Sequence, residues 1–379
     1  MPTVFVLVDA LGWDLIRERD FLNDLLPYRA EVKTVFGFSS GAIPSILTGL
    51  LPRDHEHWNL FVFDPAKSPF RWARGLSALP HSWINSRVVR KAVSVIGRKV
   101  SRTDGYFQIY GVPVELLPFF DVCEKNDLYG PGGMSPKASI FDRLETEHIP
   151  YRVYSYHHYK DEEAVNRVVE DLRHDAAEVY FVYLSELDAF LHDNVDRPEA
   201  VSGELEKYAA SLRRIYAAAA ERNRDSGFFV FSDHGMTATR ETFDLRGAVE
   251  SLGWRVPQDY IALYDSTMAR FWFFNSGARR EIEALLCRLD RGSIVSEEEE
   301  TQFGIDFGHN RFGDLIFMMK PACLIHPSHM GRVPWKGMHG FHPDEPSSSA
   351  TLLARGEPGV PVHGVWDLFH LMCFEAGIR

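Results

Sequence analysis

The chain contains little cysteine, and its four thiols are widely spaced. Cys123, Cys287, Cys323 and Cys373 form no C-x-x-C pair in a sequence of 379 residues. This distribution is typical of neither a disulfide framework nor a thiolate zinc site. We therefore expect buried free thiols in a reducing compartment.

Long apolar runs are also lacking. The run Val4–Val8 is far shorter than the roughly 20 apolar residues that a membrane-spanning helix needs. It follows the first methionine without the basic region or the small-residue cleavage site of a signal peptide. We interpret the run as a buried parallel strand and expect a cytoplasmic protein.

An excess of positive charge is missing as well. The formal net charge is −12 at pH 7, whereas a protein that binds a nucleic-acid polymer needs a basic surface. We therefore expect no nucleic-acid polymer as a partner. An anionic phosphate-ester substrate is compatible with this charge, because bound metal ions can reverse the local field.

Short apolar runs, each followed by a turn and a helical pattern, are the main feature that is present. Examples are Val4–Val8, Val179–Leu184 and Phe228–Phe231. This alternation predicts an α/β fold with a mostly parallel central sheet between helices. Ligands of such sheets bind beyond the carboxyl ends of the strands. Polar residues follow all three runs: Asp9, Asp188 and the pair Asp233-His234.

Two stretches lack this alternation. Residues 52–133 are rich in Trp, Pro and Gly, and we interpret them as a cap inserted into a core of residues 1–51 and 134–379. A second irregular stretch, residues 252–336, contains the acidic run Glu297–Glu300, which we interpret as a solvated loop.

The predicted cap is basic. Residues 67–102 contain nine Lys or Arg and no Asp or Glu. Within them, residues 83–102 are predicted to form an amphipathic helix with apolar residues at helical spacing: Ile84, Val88, Ala92, Val95/Ile96 and Val100. We favour a helix that packs on the core through this face. The alternatives are a lid over a polyanionic substrate and peripheral contact with an anionic membrane.

Serine and aspartate residues near strand and helix ends are candidates for catalysis. Asp9 ends the first apolar run, although a lone Asp there is more often a helix cap. Ser39 and Ser40 precede a helical stretch that ends near Gly49, so either could be its cap. A serine at a helix N-terminus also faces N–H groups and the positive end of the helix dipole, which suits a phosphoryl group.

Aspartate and histidine residues form further candidate pairs. Asp188 and His192 are four residues apart and share one face of a predicted helix, so both can reach one ion; a surface Asp–His pair is the alternative. Asp233-His234 ends the third apolar run, and the following glycine permits a turn. His339 lies in a polar loop, where a single histidine is usually incidental.

The order and spacing of these motifs resemble the alkaline phosphatase superfamily, and within it the type I phosphodiesterase/nucleotide pyrophosphatase branch. Members of that branch have a strand ending in Asp, a nucleophile nine residues before Thr-Gly, Asp-x-x-x-His, Asp-His-Gly and a late His-Gly. Here Thr48-Gly49 selects Ser39 rather than Ser40. The Pro52…His55 turn and the ending Val365–Met372 are also similar to that branch. The resemblance implies an alkaline-phosphatase-like three-layer sandwich with an inserted cap.

The resemblance also implies two metal sites. One ion would be held by Asp188, His192 and His339, and the other by Asp9, Asp233, His234 and the Ser39 oxygen. Nitrogen and oxygen ligands without thiolate favour Zn²⁺, with Mn²⁺ as the alternative. The family chemistry implies that the metal activates Ser39, which forms a phosphoserine intermediate by in-line displacement.

The sequence departs from the branch at two positions. Ala42 stands where many diesterases have an Asn that holds a phosphate oxygen, and Ser39 stands where many have Thr. The segment also lacks the Cys/Ser-x-Pro-x-Arg pattern of sulfatases, which disfavours a formylglycine enzyme.

The function that we expect is hydrolysis of phosphodiester or nucleotide pyrophosphate bonds. A phosphotransferase or mutase, and a phosphomonoesterase, are alternatives that would use the same metal and serine site. A non-catalytic binding module is a further alternative, although the ligand set is intact. The sequence predicts neither the leaving group nor the oligomeric state.

Overall fold

The computed structural model describes residues 2–378, apart from the side chains of residues 77 and 78. The strands of the described chain are β1 Thr3–Val8, β2 Tyr28–Val32, β3 Phe61–Phe63, β4 Phe120–Val122, β5 Tyr151–Tyr154, β6 Val179–Leu184, β7 Gly227–Phe231, β8 Thr237–Ala238, β9 Glu241–Phe243, β10 Tyr260–Asp265, β11 Met268–Phe273, β12 Gly292–Ile294, β13 Leu315–Met319, β14 Cys323–Ile325, β15 Gly337–Met338 and β16 Ala350–Ala354.

The α-helices are α1 Trp13–Ile16, α2 Ser39–Thr48, α3 Pro52–His55, α4 His81–Ile84, α5 Arg87–Ser101, α6 Ile140–Thr146, α7 Asp161–His174, α8 Glu186–Asn194, α9 Pro198–Arg222, α10 Leu245–Glu250, α11 Ser276–Leu286, α12 Glu297–Gln302 and α13 Asp367–Glu375. Short 3₁₀ helices span Arg71–Ala78, Leu117–Phe119, Asn310–Phe312 and Pro346–Ser348. No described helix is long and apolar enough to cross a membrane.

Strand β1 is buried along its whole length and lies inside a six-stranded sheet of order β2-β16-β7-β1-β6-β5. The four strands β7, β1, β6 and β5 run parallel to one another. Strand β16 pairs antiparallel with both of its neighbours. The predicted α/β fold is confirmed, with a central sheet that is mixed.

Side chains on the two faces of this sheet belong to two separate apolar clusters. Val4, Val6 and Val8 contribute to one cluster, which also holds buried residues of α7, α8 and α9. Phe5 and Leu7 point to the other cluster, with α2, α6 and α13. Because successive strand residues alternate between faces, a continuous apolar run is the pattern of a strand covered on both sides.

The described chain forms two compact units. The first comprises Met1–His55, Leu128–Ala238 and Lys336–Arg379, and contains the six-stranded sheet. The second comprises Glu56–Asp127 and Thr239–Trp335, and contains an antiparallel sheet of order β10-β11-β13-β12. Most of the predicted insertion, residues 52–133, lies in the second unit. Residues 239–335, which the prediction placed in the core, belong to that unit as well.

Two local interpretations of the sequence were wrong. The acidic run Glu297–Glu300 begins a helix, α12, whose N-terminus is closed by a capping box between Ser296 and Glu299. All four cysteines are free, but only Cys323 is buried, and Cys287 is exposed. The acidic composition did not reveal the capping box that begins the helix. Residue type alone did not reveal how far each cysteine is exposed.

The basic segment also differs from its prediction. Instead of one helix over residues 83–102, the chain forms α4 and α5, separated by Asn85 and Ser86. Of the apolar face predicted to pack inward, Ile84 is buried, whereas Val88 and Val95 are exposed. Helix α5 packs through Val93 and Gly97 instead. A Cβ atom at Gly97 would lie 2.2 Å from the Phe70 ring, so the missing side chain allows this close approach.

A buried histidine of the second unit makes the stability depend on pH. The Tyr264 amide donates to His329 Nδ1 at 3.2 Å, which requires an unprotonated Nδ1. Burial and the nearby Arg246 guanidinium lower the pKa of His329 to about 3. Protons therefore bind the unfolded state preferentially. The stability contribution of His329 is complete above its ordinary pKa of 6.5 and is lost progressively as the pH falls below that value.

We predict that His329→Asn flattens the loss of stability between pH 7 and pH 5, because an amide oxygen can accept the Tyr264 hydrogen bond without titrating. Protonation of His329 in the unfolded state lowers the free energy of unfolding by about 2 kcal/mol between these two pH values. Urea unfolding at both pH values measures the difference, with the exposed His174→Asn as control. Equal pH slopes in the wild type and His329→Asn would show that the buried histidine does not bind its proton preferentially in the unfolded state.

Candidate metal centre and nucleophile

The polar residues singled out in the sequence come together at the carboxyl ends of adjacent parallel strands. Asp9 follows β1, and the Asp233-His234 pair follows β7. Helix α8, directly after β6, carries Asp188 and His192 on successive turns. Because β7, β1 and β6 are neighbours, their chain ends meet at one edge of the sheet. His339 follows the short strand β15, and Ser39 is the first residue of α2.

Ser39 lies at the start of its helix, with its side chain in contact with the cluster. Its Oγ atom is 2.8 Å from His234 Nε2. The N-cap position belongs to Phe38, whose side chain makes no capping bond. Ser39 therefore does not act as the helix cap, and its hydroxyl faces the histidine at the positive end of the helix dipole.

Two carboxylates surround His234. Its Nε2 atom is 3.5 Å from Asp9 Oδ1 and 3.2 Å from Asp233 Oδ2. Asp233 also accepts from the Ala10 amide at 3.3 Å. Ala10 has φ 58°, a left-handed conformation that costs a non-glycine residue on the order of 1 kcal/mol. The backbone after β1 thus turns sharply where it meets the carboxylate.

Asp188 lies between two further histidines. Its Oδ2 is 3.3 Å from His192 Nε2, and its Oδ1 is 3.6 Å from His339 Nε2. The His339 ring also stacks on the His234 ring, with centroids 3.8 Å apart. These contacts link His192, Asp188, His339 and His234 to the Asp9 and Asp233 pair, so all the predicted ligands lie in one connected cluster.

Backbone carbonyls orient two of the histidine rings. His192 Nδ1 donates to the Gly337 carbonyl at 2.8 Å, and His234 Nδ1 donates to the Gly235 carbonyl at 3.0 Å. A carbonyl oxygen accepts only from an N–H group, so Nδ1 carries a proton in both rings. The Nε2 atoms are consequently the ones that face the carboxylates.

Glycines allow the backbone segments of the site to approach closely. A Cβ atom on Gly12 would lie 2.4 Å from the Gly235 Cα, and one on Gly235 would lie 2.2 Å from the Ser347 carbonyl oxygen. Gly235 does not have a positive φ. The glycine of Asp-His-Gly is therefore required for close packing, not for the turn that the sequence suggested.

The electrostatic environment disfavours the charged form of Asp9 and favours that of Asp188. Burial, followed by the charges of Asp233 and Asp188, raises the pKa of Asp9 well above its ordinary value. Burial alone would also raise the pKa of Asp188. The hydrogen bond with His192 and the nearby His339 outweigh that effect and lower it. Asp188 in turn raises the pKa of His192, against the opposing effect of burial.

The residues present fit divalent cations. Four buried polar atoms of the cluster have no hydrogen-bond partner within the described chain: Asp9 Oδ1, Asp188 Oδ1, Asp233 Oδ2 and His339 Nδ1. Two groups of three residues each offer ligand atoms that lie within 4.8 Å of one another. The groups are Asp188/His192/His339 and Asp9/Asp188/His234. Buried carboxylates without partners are costly unless a cation compensates them.

Sequence reasoning missed Tyr183, whose hydroxyl donates to Asp9 Oδ2. Tyr183 lies within the apolar run of β6, and this pattern indicates an ordinary core residue. It also missed the role of His55, whose Nε2 is 3.0 Å from Ser45 Oγ and thereby ties α3 to the helix that begins at Ser39. A polar hydroxyl within an apolar run is the signal that could have identified Tyr183. The polar surroundings of His55 in the sequence give no such signal.

Comparisons with known proteins agree with this fold and this set of residues. A family model described as type I phosphodiesterase / nucleotide pyrophosphatase matches residues 3–342. Murine ectonucleotide pyrophosphatase / phosphodiesterase 5 has a similar structure, with a TM-score of 0.69 and 15% identity over 100% of this chain and 96% of that chain. The human protein of the same name matches with a TM-score of 0.69, 12% identity and the same coverage. No curated protein sequence matches the chain.

The family model, together with the similar fold, identifies the chain as a hydrolase, and the Asp/His cluster provides candidate ligands for a metal ion. The chain belongs to the type I phosphodiesterase / nucleotide pyrophosphatase family.

We predict that Tyr183→Phe weakens metal binding about 10- to 100-fold, because Asp9 loses the hydroxyl that orients it. Competition with a chromogenic chelator for Zn²⁺ measures the change. Tyr180→Phe is a matched control on the same strand, since its hydroxyl instead accepts from Arg222 at 2.6 Å. Equal metal affinities in the two variants would show that the contact with Asp9 does not position a ligand.

Proposed function

We propose that the chain hydrolyses phosphodiester or nucleotide pyrophosphate bonds, with Ser39 as the nucleophile and two divalent cations as cofactors. The observation that carries this proposal is the position of the Ser39 hydroxyl, 2.8 Å from His234 Nε2 and directed into a buried cluster of carboxylates and imidazoles. A structural serine needs no such surroundings.

The proposed ligands form two sets around Asp188. The first is Asp188, His192 and His339, and the second is Asp9, Asp233, His234 and the Ser39 oxygen. Asp188 also lies within reach of the second set. When bound, the cations would lower the pKa of the serine hydroxyl and stabilise negative charge on the phosphate and the leaving oxygen. Zn²⁺ suits these nitrogen and oxygen ligands, and Mn²⁺ is the alternative.

The proposed reaction has two displacements. Ser39 Oγ, after losing its proton to solvent, attacks phosphorus, and the bond from phosphorus to the leaving oxygen breaks. The leaving group departs as an alcohol or a phosphate and takes up a proton from water. A water molecule then attacks the phosphoserine, the bond between phosphorus and Oγ breaks, and Ser39 regains its proton.

The substrate class rests on the family and on one related structure. An inactive variant of the murine protein, with a TM-score of 0.67, 14% identity and coverage of 100% of this chain and 96% of that chain, is in complex with AMP. We infer that a nucleoside monophosphate group also fits this site. Ala42 is buried in the apolar cluster beside the sheet and contributes no polar group. In diesterases with Asn at this position, the Asn side chain holds a phosphate oxygen. In this chain, other residues must hold that oxygen.

We predict that chelation abolishes activity and that Zn²⁺ or Mn²⁺ restores it. Protons compete with metal ions for imidazole and carboxylate ligands, so restoration should need more metal at acid pH. The assay compares p-nitrophenyl thymidine monophosphate, bis(p-nitrophenyl) phosphate and p-nitrophenyl phosphate. Full turnover by protein shown to be metal-free by elemental analysis would contradict the proposal. Preference for the monoester would favour a phosphomonoesterase.

We predict that Ser39→Ala lowers kcat by several orders of magnitude while metal binding and the fold persist, because the carboxylate and imidazole ligands remain. Ser40→Ala is the matched control. It should cost about one hydrogen bond, roughly 1 kcal/mol or less than tenfold in rate. Kinetics, metal content and the melting temperature are measured for both variants.

Other outcomes of this comparison identify different mechanisms. An inactive Ser40→Ala beside a nearly normal Ser39→Ala would overturn the assignment of the nucleophile. Similar modest losses in both would indicate direct attack by water, without a phosphoserine. Transfer of the serine-bound phosphate to an added alcohol in preference to water would identify a phosphotransferase.

A further inference from the structure

Helix α5 is anchored to the second unit along one side only. Val93 and Gly97 are buried, and Gly97 lies against the Phe70 ring. On the same side, the Arg90 guanidinium donates to the Val112 carbonyl at 2.7 Å. These contacts fix the orientation of the helix about its own axis and therefore determine which residues face outward.

The outward side of α5 is apolar along its centre. Val88 is 80% exposed, Val95 49% and Ile96 41%. Together with the exposed Ala92, they recur at the i, i+4, i+7, i+8 spacing of one helix face. No described residue covers this face. The apolar spacing that the sequence analysis assigned to core packing thus belongs to a surface.

Basic side chains lie along one edge of this apolar face, and Lys99 lies within it. Arg87, Lys91, Arg98 and Lys99 are all exposed. None of the four makes an ion pair within the described chain, and the nearest acidic residues in sequence lie outside residues 67–102. Three further apolar side chains are exposed in the segment that precedes α5: Trp83 at 69%, Leu79 at 47% and Trp72 at 40%.

We propose that this face, consisting of the outward side of α5 and Trp83, docks onto the surface of an anionic lipid bilayer. A helix with an exposed apolar face, basic side chains beside and within that face, and a nearby tryptophan is suited to lie in the plane of the interface. The 15 residues of α5 extend about 22 Å, which suits lying in the bilayer surface and not crossing it.

The combination of the two features selects a lipid surface over other anionic partners. A polyanionic substrate or a nucleic acid would be attracted by the basic residues, but the exposed valines would gain nothing from it. A second copy of the same face would bring like charges together. An anionic bilayer satisfies both features, because lipid tails receive the apolar side chains and headgroups pair with the basic ones.

The test is sedimentation of the full-length protein with vesicles of phosphatidylcholine alone or mixed with phosphatidylglycerol. We expect binding to the mixed vesicles at low salt and little binding to the neutral ones. Raising the salt to about 0.5 M should weaken binding about tenfold or more, because the headgroup charges become screened.

Surface variants with matched controls locate the interaction. Val88→Asp should lower vesicle affinity about tenfold or more, since it puts a negative charge in the apolar centre. Val333→Asp is its control, because Val333 is 73% exposed but lies outside the proposed face. Lys91→Glu and Arg98→Glu should each weaken binding several-fold, with the exposed Arg280→Glu as control. Turnover of a soluble substrate should stay unchanged.

Three results would overturn the proposal. One is the absence of binding to the mixed vesicles at low salt, and another is an equal loss of binding in the control variants. The third is a dimer in sedimentation equilibrium that Val88→Asp dissociates, without vesicle binding, which would make the face a contact between copies of this chain. If Val88→Asp does not fold by circular dichroism, the charge variants decide the outcome.

Discussion

Repulsion among the buried carboxylates of Asp9 and Asp233 and the partly exposed carboxylate of Asp188 is the constraint on which the site depends. Asp9, Asp188 and Asp233 converge where β1, β6 and β7 end. The raised pKa of Asp9 reflects the burial and the repulsion directly. A protein gains nothing in stability by placing these charges together, so the arrangement makes physical sense as a site for divalent cations.

The sheet topology brings these residues together without any long loop. In the order β7-β1-β6, three neighbouring parallel strands present their carboxyl ends on one edge, although Asp9 and Asp233 are more than 200 residues apart in sequence. Neighbouring backbone then fixes the side chains, since the Gly235 and Gly337 carbonyls hold the His234 and His192 rings. Rigid strands and backbone contacts therefore set the positions of the functional groups, as the proposed displacement on phosphorus requires.

Features that depend on local spacing could be predicted from the sequence, whereas those that depend on distant contacts could not. Apolar runs followed by Asp predicted the parallel strands. The resemblance to the family, through the offset from Thr48, favoured Ser39 over Ser40, and the Ser39 hydroxyl contacts His234. The antiparallel strand β16 was not recognised, because a short run of mostly apolar residues does not indicate a direction. Tyr183 was overlooked since its partner, Asp9, is distant in the chain. The close approach at Gly235 depends on Ser347, which no local pattern around residue 235 reveals.

Helix α5 illustrates why apolar periodicity alone does not identify a buried face. Its sequence has two apolar sides, and the one with better helical spacing is turned outward. Gly97 decides between them, because only a residue without a side chain lets the Phe70 ring pack against the helix. The net charge of −12 likewise does not show where the charges lie. One unit contains a cluster of aspartates, whereas the other has a basic surface with exposed apolar residues. Because separate residues carry these features, substitutions should alter the proposed catalysis and the proposed attachment to a membrane surface independently.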